Sequence, residues 1–286
     1  MEVRPIHLRA PGLTRSVLGV PVIEGPVPDP WPAAVVAEPW CWADAERMRF
    51  AGDGAVVYVE RDRVVLSAPD AATRAHADWL LYATATRAML TFRRDYNLHA
   101  SLVVAPGGAA IAVLGDGGAG KSTTTLELLR RGWRLAGDDI VPVRDSSDGP
   151  MAHPVDRPVH LSDEAARSLG ADLALGRLLP ASGKRSYAVD TDPTPRRLSA
   201  IAVLSAGATD GRVAWRRVDG LAALPTIAAS ADRYRICRLP EHRGDFLRWT
   251  TSVCRQVPVW DLRRPPVGDS VEQVVDAVEQ ISSCVG

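Results

Sequence analysis

The run Gly115, Asp116, Gly117, Gly118, Ala119, Gly120, Lys121, Ser122 fits the spacing G-x-x-x-x-G-K-S in full. Glycines so placed let successive backbone N–H groups turn into one concavity, which receives phosphate oxygens. An apolar run at 109–114 precedes the loop, and a helical pattern at 122–131 follows it, stopped by Gly132. The start of such a helix adds partial positive charge where the phosphates would lie. In this spacing Lys121 reaches the β- and γ-phosphates and the Ser122 hydroxyl ligates Mg²⁺, with Thr123 beside them in the first helical turn. The loop therefore predicts a site for a nucleoside triphosphate with magnesium.

One strand–helix–strand unit later come Asp138 and Asp139. A P-loop enzyme needs a carboxylate at a strand end to hold magnesium, directly or through water. Transfer to a hydroxyl also needs a group that orients or deprotonates the acceptor. Two adjacent carboxylates can divide these tasks. In extended backbone they would point to opposite sides, leaving one to face the metal. An Asp-Asp pair after Gly137 would by itself be an ordinary surface turn; its distance from the P-loop makes it a candidate site.

Only Lys121 and Lys184 are lysines among 34 basic residues. Arginine serves the solvated positions, so a retained lysine suggests a place where a compact ammonium is needed. Gly183-Lys184-Arg185 precedes a strand pattern and could bring positive charge to a triphosphate or an acidic substrate. Arg157 and His160, in Arg-Pro-Val-His-Leu, are weaker candidates to approach the site. Arg196-Arg197 and Arg263-Arg264 read as solvated surface pairs.

Stepping along the elements, residues 1–34 hold seven of the 22 prolines and read as an extended arm with one short strand at 20–23. Residues 54–68 read as a β-hairpin turning at Glu60–Arg63. Residues 70–94 read as a helix capped by Asp70, with a stripe through Trp79, Leu80, Ala83, Met89 and Leu90. Further helices are expected at 162–167, with Ser162 as cap, and at 220–230, 242–255 and 269–283. Strands are expected at 101–105, 133–136, 140–143, 186–190, 198–205, 212–218 and 257–262. The 286 residues are 46% hydrophobic and 24% charged, ample for a buried core. Acidic and basic residues balance at 34 each, which predicts no nucleic-acid or membrane partner. The N-terminus shows no apolar signal segment and the four cysteines no ligand spacing. These features predict a cytoplasmic protein with its cysteines in core packing.

Residues 115–141, GDGGAGKSTTTLELLRRGWRLAGDDIV, resemble the core of the HPr kinase/phosphorylase family: P-loop, helix, an Arg-Gly-aromatic turn and an Asp-Asp pair. Leu98–Val103 is similar to that family's His-x-x-Leu-Val strand, and the resemblance spans 98–143. It implies an α/β (α+β) fold of the HPr kinase/phosphoenolpyruvate carboxykinase-like type. A small N-terminal α+β lobe with its Pro-rich arm would occupy 1–97, and a P-loop catalytic domain 98–286. It further implies Asp138 as general base toward the acceptor hydroxyl, Asp139 with Ser122 at magnesium, and His99 near the transferred phosphate. The family's Glu-x-Arg-Gly-Leu-Gly segment and its C-terminal phosphorylase segment find no match here. The first hundred residues resemble instead the short leader of HPr-kinase-like proteins in biosynthetic clusters.

The expected activity is thus transfer of the γ-phosphoryl group of ATP or GTP to a hydroxyl. The acceptor expected is Ser or Thr of a peptide or small protein, such as a natural-product precursor peptide. A small-molecule acceptor, a nucleotide-binding switch module without transfer, and nucleotidyl transfer are the alternatives; product mass separates the last. The family's hexamers leave room for a homo-oligomer.

Overall fold

Alternate residues of Ala110–Leu114 face opposite sides of a sheet, and all five are buried. Ala110, Ala112 and Leu114 enter one core cluster and Ile111 and Val113 another. A strand buried on both faces needs helices on both faces. The computed structural model provides them. It describes residues 6–285 apart from positions 7, 33, 39, 53, 156, 169, 180–182, 209–210, 232–235 and 267–269.

The first face carries the P-loop helix, Lys121–Arg130, and the last helix, Val271–Val285. Leu126 and Leu128 meet Val274, Val278 and Ile281 there. Arg131 fixes the helix pair by bonding Glu272, Asp276 and Glu279, three acidic residues on one face of the last helix. The opposite face carries Leu224–Ala231 and Pro240–Gln256, through Ile227, Phe246, Trp249 and Val253.

The nine-stranded sheet runs Arg134–Gly137, Ala100–Val104, Ala110–Leu114, Arg196–Ala206 and then divides. One branch is Val259–Arg264 with Ala214–Val218; the other is Met151–Ala152, Val141–Arg144 and Asn97–Leu98. Ala110–Leu114, Arg196–Ala206 and Val259–Arg264 are mutually parallel neighbours. Their carboxyl ends therefore share one edge, where open α/β sheets bind ligands. Nearby, Val159–Leu161, Lys184–Tyr187 and Arg177–Leu179 form a three-stranded antiparallel sheet.

Residues 16–67 form a seven-stranded sheet backed by helical segments at Ala71–His76, Leu80–Ala85 and Thr86–Phe92. The expected hairpin is present, with Glu60 opposite Arg63 across a two-residue turn. Asp70 caps the first helical segment by accepting from the Thr73 N–H at 2.8 Å. The middle segment, Leu80–Ala85, is a π-helix, a form that recurs at functional positions. Strands at Val36–Glu38, Cys41–Ala43 and Arg47–Gly52 lie outside the sequence expectation. The last expected strand moves to Val259–Arg264, because Pro258 cannot donate to a ladder. The last helix begins at Val271, and the expected start at 269 falls outside the described residues. Three cysteines pack in cores as expected; Cys284 is exposed instead, on the outer face of the last helix.

The N-terminal arm crosses both parts. Arg9 and Ala188 exchange two backbone hydrogen bonds, of 2.9 and 2.8 Å. Further on, the buried Asp78 carboxylate accepts from Arg74, Arg177 and the Thr14 N–H. No helix among the described residues is long and apolar enough to cross a membrane.

Candidate active site

The P-loop leaves the sheet at Leu114 with Gly115 at φ 152°, and Gly118 and Gly120 also have positive φ. A Cβ on Gly115 would lie 2.5 Å from the Leu204 carbonyl oxygen, which is sheet backbone and cannot yield. Gly115→Ala is therefore expected to distort the loop, at a cost of about 2 kcal/mol in stability. On the sequence expectation that this loop receives a nucleoside triphosphate, nucleotide affinity should fall at least ~10-fold. Thermal melts with and without ATP·Mg²⁺ would read both effects; a variant with an unchanged nucleotide-induced shift would contradict this.

Gly120 precedes the first helical residue, Lys121. Asp116, Gly117, Gly118 and Thr123 are exposed, and Lys121 and Ser122 are half-buried. The Lys121 ammonium folds back onto the loop and donates to the Gly115 carbonyl, with Asp116 O at 3.4 Å. Burial lowers its pKa, with Asp138 and Asp139 pulling the other way. Both carboxylates are thus within electrostatic reach of the lysine.

Arg264 corrects one expectation. It is half-buried rather than solvated and ends the strand Val259–Arg264. Its Nε donates to Ala119 O at 2.9 Å and its Nη2 to Gly118 O at 3.1 Å. The guanidinium thus ties the loop to the end of that strand. Arg263 is exposed, as expected.

Asp138 and Asp139 follow the strand Arg134–Gly137, whose pairing with Ala100–Val104 shifts register between Leu135 and Gly137. Such a bulge re-aims the residues beyond it. The pair is not extended: Ile140 N–H donates to Asp138 O at 2.8 Å, and Asp139 takes φ 69°. Aspartate tolerates that left-handed geometry better than most residues. The two carboxylates consequently have distinct surroundings.

Asp138 accepts from the Ser101 hydroxyl at 2.6 Å and lines one small cavity with Ser122. Burial raises its pKa and the adjacent Asp139 charge adds to this, while the Ser101 hydrogen bond opposes it. Asp139 is held by cations. Arg87 Nη2 donates to Oδ1 at 2.8 Å and Arg157 Nη1 to Oδ2 at 3.1 Å. His99 Nδ1 lies 2.7 Å from Oδ1 and 3.1 Å from Arg87 Nη2, so the imidazole joins the same cluster. Burial disfavours the Asp139 charge, but Arg87 and then Arg157 outweigh it and hold the carboxyl well below its usual range.

Arg87, in the helix Thr86–Phe92, escaped sequence reading. Its signal was a single arginine inside the apolar stripe, four residues after Ala83 and four before Thr91, where a buried cation demands a carboxylate. Arg157 does approach the site. It is buried, bonds Asp139, and stands 5.8 Å from the Tyr82 ring centroid. His160 lies opposite Ser186, and burial together with the Arg157 charge pushes its pKa down to about 4. It is neutral near pH 7.

Lys184 is exposed, and its charge depresses both Lys121 and His160, so it stands within electrostatic reach of the loop. Arg185 is committed elsewhere, donating to Asp163 at 2.9 Å and to Gly176 O at 3.2 Å.

No family model matches the chain. Among solved structures it is similar to the Hpr(Ser) kinase/phosphatase from Coxiella burnetii, at 12% identity over 66% of this chain and 94% of that one, with a TM-score of 0.35. The likeness is distant, and function is better read from the side chains.

Proposed function

We propose that this chain is an ATP- or GTP-dependent kinase that transfers the γ-phosphoryl group to a hydroxyl, with Ser or Thr of a peptide or small protein as the acceptor. The observation that supports this most is the difference between the two adjacent carboxylates. Asp138 has a raised pKa, one hydroxyl partner and a place beside Ser122, as a base near the P-loop needs. Asp139 is a fixed anion within a cationic frame. In the transfer, Asp138 takes the hydroxyl proton as the acceptor oxygen bonds to the γ-phosphorus. The bond to the β–γ bridging oxygen breaks, and the nucleoside diphosphate leaves with that electron pair. Lys121 moves from the loop carbonyls to the phosphates, and Lys184 adds positive charge.

A hard cation fits the oxygen donors present, and the Ser122 hydroxyl would hold Mg²⁺. Asp139 would contribute charge rather than a direct bond, since its oxygens already accept from Arg87 and Arg157 and face the His99 ring. When bound, magnesium neutralises β- and γ-phosphate charge.

The test is product mass after incubation with ATP·Mg²⁺ or GTP·Mg²⁺ and a panel of serine peptides, small proteins and small hydroxyl compounds. A gain of one phosphate, absent with Lys121→Met, supports the kinase. A nucleotidyl mass gain, or tight binding with no transfer to any acceptor, would defeat it.

A further inference from the structure

The small cavity that Asp138 and Ser122 share is otherwise apolar, a narrow cleft lined by Leu126 and Leu129 of the P-loop helix and by Val159 and Leu161. Its lid is the chain's own N-terminal arm. Leu8 lines it, beside Val159, Leu161 and Val189. Ile6 and Leu8 pack against the core cluster of that face. The arm is held as a β-strand would be, by the paired Arg9 and Ala188 hydrogen bonds that extend the strand Lys184–Tyr187. Its hold on the surface is slight: Arg9 and Ala10 are exposed, and the Arg9–Asp190 ion pair has side chains 61% and 81% exposed. Exposed pairs of this kind contribute little. The segment Ile-His-Leu-Arg-Ala at 6–10 carries no hydroxyl side chain.

An extended segment that seats an apolar side chain beside the reactive carboxylate, yet offers nothing to phosphorylate, has the properties of an occluding stand-in for an acceptor. Resting on the kinase reading above, we propose that residues 8–10 of the arm occupy the acceptor site. The acceptor is then an extended peptide with an apolar residue close to its Ser or Thr. It displaces the arm, pairs with the backbone at Ala188, and places the apolar side chain where Leu8 sits. Backbone pairing supplies the hold and the cleft supplies the selectivity, as in strand-addition recognition. Its hydroxyl proton passes to Asp138 and its oxygen to the γ-phosphorus, as above.

Two full-length variants test this. Leu8→Glu puts a charge into the cleft, and Arg9→Pro removes the N–H that bonds Ala188 O. The probes are ATP·Mg²⁺, a synthetic peptide of residues 1–12, and two serine peptides that differ only in leucine or glutamate next to the serine. If the arm covers the site about nine-tenths of the time, both variants should raise kcat/KM for the leucine peptide roughly 10-fold. In Arg9→Pro affinity for ATP should stay within about twofold, because the described bonds of Arg9 run to Ala188 and Asp190 and not to the P-loop. The 1–12 peptide should restore slow turnover in both variants, competing with the leucine peptide and not with ATP.

Unchanged kcat/KM in a folded Arg9→Pro, with the added peptide inert, would overturn the inference and leave the kinase standing. Equal use of the leucine and glutamate peptides would also overturn it. Loss of ATP binding and transfer in the wild type would instead bring down the kinase reading on which it rests.

Discussion

Asp138→Asn should lose roughly a thousandfold in phosphoryl transfer while binding nucleotide as tightly as the wild type. The substitution is nearly isosteric, and the amide can still meet the Ser101 hydroxyl, which now lies 2.6 Å from Oδ1. What disappears is the capacity to accept a proton. A thousandfold corresponds to about 4 kcal/mol of transition-state stabilisation, within reach of one general base. Single-turnover transfer, with nucleotide affinity measured separately, reads the two quantities apart. A variant that keeps more than a tenth of the rate would remove Asp138 from the chemistry.

The pH profile follows from the same residue. A general base works deprotonated, and burial raises the Asp138 pKa. The acid limb of kcat/KM should therefore lie above the ordinary carboxylate range, with the rate rising as pH increases through it. Asp139→Asn removes one of the charges that raise Asp138 and leaves Arg87 and Arg157 nearby. That limb should then move to lower pH. An unshifted limb would mean that another group governs it.

The parts legible in the sequence are those whose cause is local. The P-loop could be read because its glycines are demanded by backbone geometry within the same eight residues, and Gly115 shows the demand at its strictest. Asp70, Ser162 and the Glu60–Arg63 turn are local in the same sense; Ser162 accepts from the Ala165 N–H at 3.1 Å. Asp138 and Asp139 were legible as a pair, but their division of labour depends on Ser101, Arg87 and Arg157, which come from three separate segments. The positive-φ turn at Asp139 comes two residues after a register shift against a neighbouring strand, and no alternation pattern records either. Arg264 was misread because its neighbour Arg263 is solvated. Only the parallel order of three strands brings the second arginine to the P-loop. Val36–Glu38 and Cys41–Ala43 are three residues each, too short to show alternation, and Arg47–Gly52 has six residues but none that is β-branched.

The frame around Asp139 also predicts where stability is concentrated. Arg157→Met should destabilise the protein by about 3 kcal/mol, the lower end for breaking a buried ion pair. The lower end applies because Asp139 keeps Arg87, and its side chain is 21% exposed against 1% for Arg157. The sign with pH is fixed by Asp139. Its folded pKa is depressed, so its contribution is present above the unfolded carboxylate pKa and is lost as pH falls through the folded value. Removing Arg157 shrinks the depression, so acid unfolding should begin at higher pH than in the wild type. The double variant Arg157→Met/Asp139→Asn should lose less than the two single variants together, because the Arg157–Asp139 pair is then removed once, while the buried Arg87 is left with only neutral acceptors at position 139. Chemical denaturation of the wild type, both single variants and the double variant would close the cycle. If the two single losses simply add, Arg157 stabilises the fold through packing against Tyr82 and not through the carboxylate. A coupling of ~1 kcal/mol or more would make the ion pair part of the fold's stability. The Asp139 charge that Arg157 helps to hold also raises the neighbouring Asp138, whereas the Arg157 charge itself lowers Asp138, so the ion pair acts on the base in two opposing ways.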